Sequence, residues 1–370
     1  MQLPYSAELD IPHLCRIFDN KSECYKLFWF QALVTKISEG MERFSFDELI
    51  DEMIADAWYM VTEYHLNLGP SDNLEKVVRY ICRVTMMKPS EKKEEILNYL
   101  KNCEDKEVLS LKRALSGNVP YRLQAPFLAD LKGRAWECGK EKLISRINAS
   151  NQLGLYYFER YCGLHTVIFM KHDWLVYIRE NQEIVKGWIR YHMAEYLQRR
   201  NPSVPGILDK LSPPRERNLE RVKKYWKMIR ALHPIYEIYG QKKLSSNDIS
   251  IDHFVPWSYV AHDELWNLHP TIKSINSRKS NRLPDWEKYF PLLCEQEYLA
   301  YTMLWQYEKV RKEFEFCAEK HLNNTQIRRH LYREGLSRQE FCDRLSEVVK
   351  PVYQAAQNSG FDRWIYQDIV

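Results

Sequence analysis

A chain of 370 residues has room for two or three units that each bury a core. It is 45% hydrophobic and 28% charged, with only 12 Gly and 16 Pro, which favours a mainly helical globular protein. The net charge of +4 is too small to name a partner, so an anionic ligand would have to be met by a local basic surface. Nine scattered cysteines form no C-x-x-C pair, which argues against a disulfide framework or zinc ribbon and fits a reducing cytoplasm. The first residues, MQLPYSAELDIPHL, lack the basic and apolar stretches of a signal peptide. Apolar runs such as LFWFQALV fall short of the ~20 residues needed to span a bilayer. A cytoplasmic protein without a membrane segment is expected.

Residues 1–120 read as an N-terminal helical region. Leu27, Phe30, Leu33, Val34 and Ile37 recur at helical spacing. Ser45 and Glu48 form a capping-box pattern ahead of DELIDEMIADAWYMVTEY, and Ser90 is placed to cap EKKEEILNYLKN. The stretch SGNVPYRLQAP (116–126) interrupts the pattern and marks a boundary. A second helical region, 121–235, is rich in rings: Tyr156, Tyr157, Phe158, Trp174, Tyr177, Trp188, Tyr191 and Tyr196. These are expected to line a core rather than to stack on bases. The Pro-rich NPSVPGILDKLSPP (201–214) reads as a loop.

From Arg199 to Arg230 there are ten basic residues against three acidic ones, a balance of +7. Arg221, Lys223 and Lys224 in this segment are candidates to track phosphates. Charge runs are also common on plain solvated helix faces, and the sequence leaves both readings open. A smaller basic cluster is formed by Arg328, Arg329, Arg333 and Arg338. Residues 291–370 return to helix, in EQEYLAYTMLWQYEKVRKEFEFCAEKHL and SRQEFCDRLSEVVKPVYQAAQ.

The segment between, 236–290, carries the chemistry. Ile249 to Val255 has strand-like residues that Pro256 must end, and a second extended piece fits Leu265 to His269. Thr271 to Asn281 suits a helix that stops before Pro284. Asp252 and His253 are adjacent, Asn267 follows His253 by 14 residues, and Asn276 follows Asn267 by 9. Asn276 and Lys279 share one helix face. A carboxylate and an amide oxygen, from Asp252 and Asn276, suit a hard cation such as Mg²⁺. His253 can take a proton from water near neutral pH. Lys279, with Lys273 and Arg278 on the same helix, is placed to meet phosphate. Neighbours in a regular strand face opposite ways, so convergence of Asp252 and His253 requires the strand to twist there.

This pattern resembles the HNH endonuclease family with its ββα-metal motif, at the spacing found in the HNH domain of RNA-guided nucleases and over some 40 to 50 residues. The resemblance implies His253 as general base and Asp252 and Asn276 as ligands to Mg²⁺ or Mn²⁺. It also implies that Asn267 holds the histidine's strand in place. Many members carry zinc-binding cysteine pairs around the motif. Here Tyr236 to Gly240 occupies the upstream place, so no structural zinc is expected. Some members add a histidine one turn after the last motif position, where this chain has Ser280.

The expectation is a mainly α protein with helical N- and C-terminal regions around an embedded ββα-metal motif. Nucleic acid is the expected partner, DNA favoured over RNA, with a defence role against phage and a homodimer or partner protein in view. The alternatives are an RNA-cleaving effector and a nucleic-acid-binding subunit whose nuclease awaits a partner or ligand.

Overall fold

The computed structural model describes residues 2–19, 23–150, 152–213, 217–245 and 248–368. Arg215 and Glu216 of the basic segment lie outside them. The chain forms two compact units, Met1–Pro202 with Lys210–Pro213, and Ser203–Asp209 with Pro214–Val370.

The first unit is a helical body with one small sheet. The capping box at Ser45 and Glu48 opens the helix Phe46–Thr62, which packs on Tyr25–Ser38, Asn73–Thr85 and Lys93–Lys101. Lys93–Lys101 begins at Lys92 without a side-chain cap, so Ser90 does not serve as one. Strands β1 (Arg43–Ser45), β2 (Tyr156–Phe158) and β3 (Val167–Met170) form an antiparallel sheet in the order β1-β3-β2, with Phe44 opposite Ile168. The boundary expected near residue 120 therefore does not separate compact units, because β1 pairs with a strand more than a hundred residues later. Three-residue strands carry too little alternation to announce themselves in sequence. Tyr156, Phe158, Trp174, Tyr177, Trp188 and Tyr196 are buried, whereas Tyr157 and Tyr191 are exposed. Trp188 stacks on Phe18 at 4.7 Å between ring centroids, and Phe158 stacks on Tyr121 at 5.3 Å.

The second unit wraps helices around the short motif. Strands β4 (Ser250–His253) and β5 (Leu268–Thr271) pair antiparallel, placing Asp252 opposite His269. The second extended piece thus starts at Leu268, later than its residues suggest, because Leu265–Asn267 forms a 3-10 turn. The helix Lys273–Lys279 follows, shorter than the expected 271–281. Beneath this hairpin, Phe254 meets Trp286, Phe290 and Tyr353, so the helices Trp286–Gln306 and Arg338–Asn358 supply the motif's floor. Strands β6 (Leu283–Pro284) and β7 (Arg363–Trp364) pair in parallel, fastening the end of the chain to the end of the motif. The long C-terminal helical stretch breaks at Tyr307 into Trp286–Gln306 and Glu308–His321. Among the described residues no helix is long and apolar enough to cross a membrane.

Candidate active site

Asp252 and His253 end β4, and each is only 4% exposed. Their side chains meet different partners. Asp252 Oδ2 accepts from the Tyr239 hydroxyl at 2.7 Å and lies 3.4 Å from His269 Nε2. Its other oxygen lies 3.2 Å from the Lys279 ammonium, which also donates to the His253 carbonyl at 2.7 Å. Lys279 is fully buried, so the two motif residues are tied together by one cation. Burial pushes the Asp252 carboxyl up, but Lys279, His269 and Tyr239 overcome it and hold the group well below the usual carboxylate range. Asp252 is therefore an anion.

The His253 ring is held at both nitrogens. Nε2 lies 2.7 Å from Asp263 Oδ1, and Nδ1 lies 3.3 Å from the Arg217 guanidinium. Arg217 in turn lies over the Trp257 ring at 5.1 Å. Burial and then Arg217 lower the His253 pKa against the opposing pull of Asp263, which favours the neutral ring.

Asn267 is fully buried and spans the loop after β4. Its amide oxygen accepts from Val255 N at 2.7 Å, and its nitrogen donates to Val255 O at 2.8 Å. With Phe254 N donating to Asn267 O at 2.9 Å, this fixes the turn that follows His253. Asn276 uses its amide nitrogen on Ser250 Oγ and Ile251 O, both at 3.0 Å. That leaves the amide oxygen as the atom with which it can bind a cation.

Upstream, where a metal-binding pair would stand, a buried carboxylate organises the turn. Glu237 accepts from the backbone N–H of Tyr239 and Gly240 at 2.8 Å and of Lys242 at 3.0 Å. Gly240 has to be small here, since a Cβ would lie 2.8 Å from the Tyr366 ring and 3.0 Å from Glu237 Oε1. The ordered turn delivers Tyr239 to Asp252.

Residues 237–285 match the HNH endonuclease family. The chain carries an HNH endonuclease domain. An HNH domain is a nuclease of nucleic acid and generally works with a divalent metal. Comparison with curated proteins and with solved structures returned no match.

The basic candidates divide. A cleft of about 430 Å³ beside the HNH hairpin is lined by Arg217, Lys223, Asp248, Ser250, Ile251 and Lys273. It borders both the residue that touches the His253 ring and the groups that hold Asn276. Arg221 instead donates to Phe316 O at 3.1 Å, and Lys224 pairs with Glu313 at 2.6 Å, so these two brace the helix Glu308–His321. Arg278 donates to Gln367 O at 2.5 Å on the side of the C-terminal strand. In the second cluster, Arg328 pairs with Glu315 and Arg338 with Glu295.

Sequence reasoning missed Asp263, Arg217 as a ring partner, and Tyr239. None belongs to the recurring motif, and only the fold brings them to it. His269 sits behind Asp252, fully buried, rather than in the cleft.

Proposed function

We propose that the chain hydrolyses phosphodiester bonds in nucleic acid with a divalent metal, DNA in the first place, using His253 as general base. The observation that carries this reading is the assembly of Asp252, His253 and Asn276 around one HNH hairpin, beside a cleft lined by Arg217, Lys223 and Lys273. The donor set fits a hard cation: an ionised carboxylate and an amide oxygen suit Mg²⁺ or Mn²⁺. Among the described residues no three His, Cys, Asp or Glu side chains gather for a metal, so other oxygens must complete the coordination. The buried Lys279 ammonium already answers the Asp252 charge and must share it with an incoming cation. When bound, the metal supplies charge stabilisation at the phosphate and the departing oxygen.

The protein residues do the rest. His253 takes a proton from water as the water oxygen bonds to phosphorus. The P–O3′ bond breaks, the 3′ oxygen is protonated from solvent, and the ends are a 5′-phosphate and a 3′-hydroxyl. Asn267 keeps the base in register by holding Val255 at both its backbone groups. The cleft cations hold the flanking phosphates. The preference for DNA over RNA rests on the habit of the family.

A second reading, a nuclease that waits for a ligand or partner, is favoured by the burial of Asp252 and His253 and by the cations lying on both. Binding of a phosphate chain beside the hairpin is the simplest means of drawing Arg217 off the ring.

The test is cleavage by His253→Ala. It is expected to fall by about 10²-fold or more with the fold intact. Cleavage near the original rate by a folded His253→Ala protein would refute the assignment.

A further inference from the structure

The two partners of the His253 ring differ in what they can do. A carboxylate oxygen only accepts hydrogen bonds and a guanidinium only donates them. Asp263 Oδ1, at 2.7 Å, therefore requires the proton on Nε2, and Arg217, at 3.3 Å, requires a bare lone pair on Nδ1. Both contacts select the same tautomer, and they do so independently.

The carboxylate is held in place from the C-terminal helices. Ala261, at φ 55°, turns the chain out of the short helix Trp257–Val260 in the left-handed conformation and leads it to Asp263. The Asp263 carbonyl lies 2.9 Å from Nδ1 of His321, the last residue of Glu308–His321. The neighbouring Glu264 carboxylate accepts from Asn323 N at 3.1 Å and Asn323 Nδ2 at 2.8 Å. The loop is thus pinned on both sides of the group that meets the ring.

We infer that Asp263 is a positioning residue. It fixes His253 as the Nε2–H tautomer so that Nδ1 is the atom that takes the proton from water, and His321 and Asn323 hold Asp263 where it does so. The inference rests on the reading of His253 as base and adds to it which nitrogen acts and what aims it. Arg217 occupies the direction of that lone pair in the free protein and must swing away before water can take its place. The work of the helical segment after residue 306 is then local: it sets the hydrogen bond that orients the base. A hydrogen-bonded carboxylate behind a histidine is a general way to fix tautomer and ring orientation.

The experiment uses the full chain labelled with ¹⁵N-histidine, with the His253 signals assigned by their loss in His253→Gln. In the original protein the two ring nitrogens are expected to give one pyridine-like signal for Nδ1 and one pyrrole-like signal for Nε2, linked to the ring protons in the Nε2–H pattern. Asp263→Ala is expected to average these signals and to lower the cleavage rate by about 10²-fold or more. Asp263→Asn retains an acceptor oxygen without the charge and is expected to fall between the two. It also keeps the test alive should the alanine variant not fold. Affinity for an uncut duplex in EDTA is expected to stay within about twofold, which separates orientation of the base from loss of the binding surface. An Nδ1–H pattern in the original protein overturns the inference. So does an unchanged His253 spectrum in a folded Asp263→Ala protein, whatever its rate, and so does full cleavage by that variant. Full cleavage by His253→Gln removes the base itself and the inference with it. The spectra and the cleavage assay therefore fail separately.

Discussion

In the N-terminal unit Glu52 is fully buried between Lys36, at 3.1 Å, and Lys93, and Lys112 lies 1% exposed against Asp51 at 2.6 Å. In the C-terminal unit Asp252 is buried as deeply against Lys279 at 3.2 Å. Burial and ion pairing are alike in the two places, yet only one of them lies in the HNH domain. Glu52 and Lys112 join helix to helix within a packed body, and both ends of each pair are spent on structure. Asp252 and His253 sit beside a cleft, and their present partners, Lys279 and Arg217, are cations of the kind that a divalent metal and a phosphate contact respectively exchange with or attract. A buried charge is therefore a weak sign of function by itself. The sign gains weight where the partner can be exchanged and a route leads to it.

The sharpest way to break this comparison is to neutralise one carboxylate in each unit. Asp252→Asn is expected to abolish cleavage to beyond about 10²-fold and also to destabilise, by roughly 3–5 kcal/mol, because the buried Lys279 loses its counter-charge. Adding Lys279→Met is expected to recover much of that stability and none of the cleavage. Glu52→Gln is expected to cost a similar roughly 3–5 kcal/mol and to leave the cleavage rate per folded molecule unchanged. Denaturant melts alongside cleavage assays check all three. Recovery of cleavage in the double variant, or loss of the specific rate in folded Glu52→Gln, would erase the distinction.

A smaller effect sharpens the comparison from the other side. Glu297 on the helix Trp286–Gln306 is buried with Oε1 unpartnered, and burial raises its pKa well above the ordinary value. Folding thus favours its protonated form. That contribution is complete below the unfolded pKa and is lost as pH rises through the folded one. Glu297→Gln is expected to raise the melting temperature at pH 8 by more than at pH 5, without changing cleavage. An equal shift at both pH values would mean that Glu297 is paired and ionised after all.

How much of this was legible in the sequence follows from what each residue depends on. Asp252, His253, Asn267 and Asn276 stand at fixed spacing in one short segment, so their pattern could be read directly. Asp263 lies only ten residues from His253, but nothing in an Asp within a loop says that it will meet a ring nitrogen. His321 is 58 residues from Asp263 and reaches it only because a helix ends there. Lys224 and Arg221 looked like substrate contacts because charge is visible in sequence while the acceptors on a distant helix, Glu313 and the Phe316 carbonyl, are not. The rings of residues 143–200 were legible as core by their size and number. The sheet joining residues 43–45 to 167–170 was not, since three or four residues cannot display a period. Glu237 shows a subtler limit. The missing cysteine pair was plain, but that a carboxylate would take over the same turn by binding three amides needed coordinates.

The central claim is a metal-dependent hydrolysis of nucleic acid at the HNH hairpin. Its most direct test is to incubate the purified full chain with supercoiled plasmid, linear duplex and RNA, in Mg²⁺, in Mn²⁺ and in EDTA, with any ligand that opens the site included as a separate arm. The account predicts nicking of the plasmid with Mg²⁺ or Mn²⁺, weaker or no cutting of RNA, and complete loss in EDTA that added metal reverses. Undiminished cleavage in EDTA would contradict it.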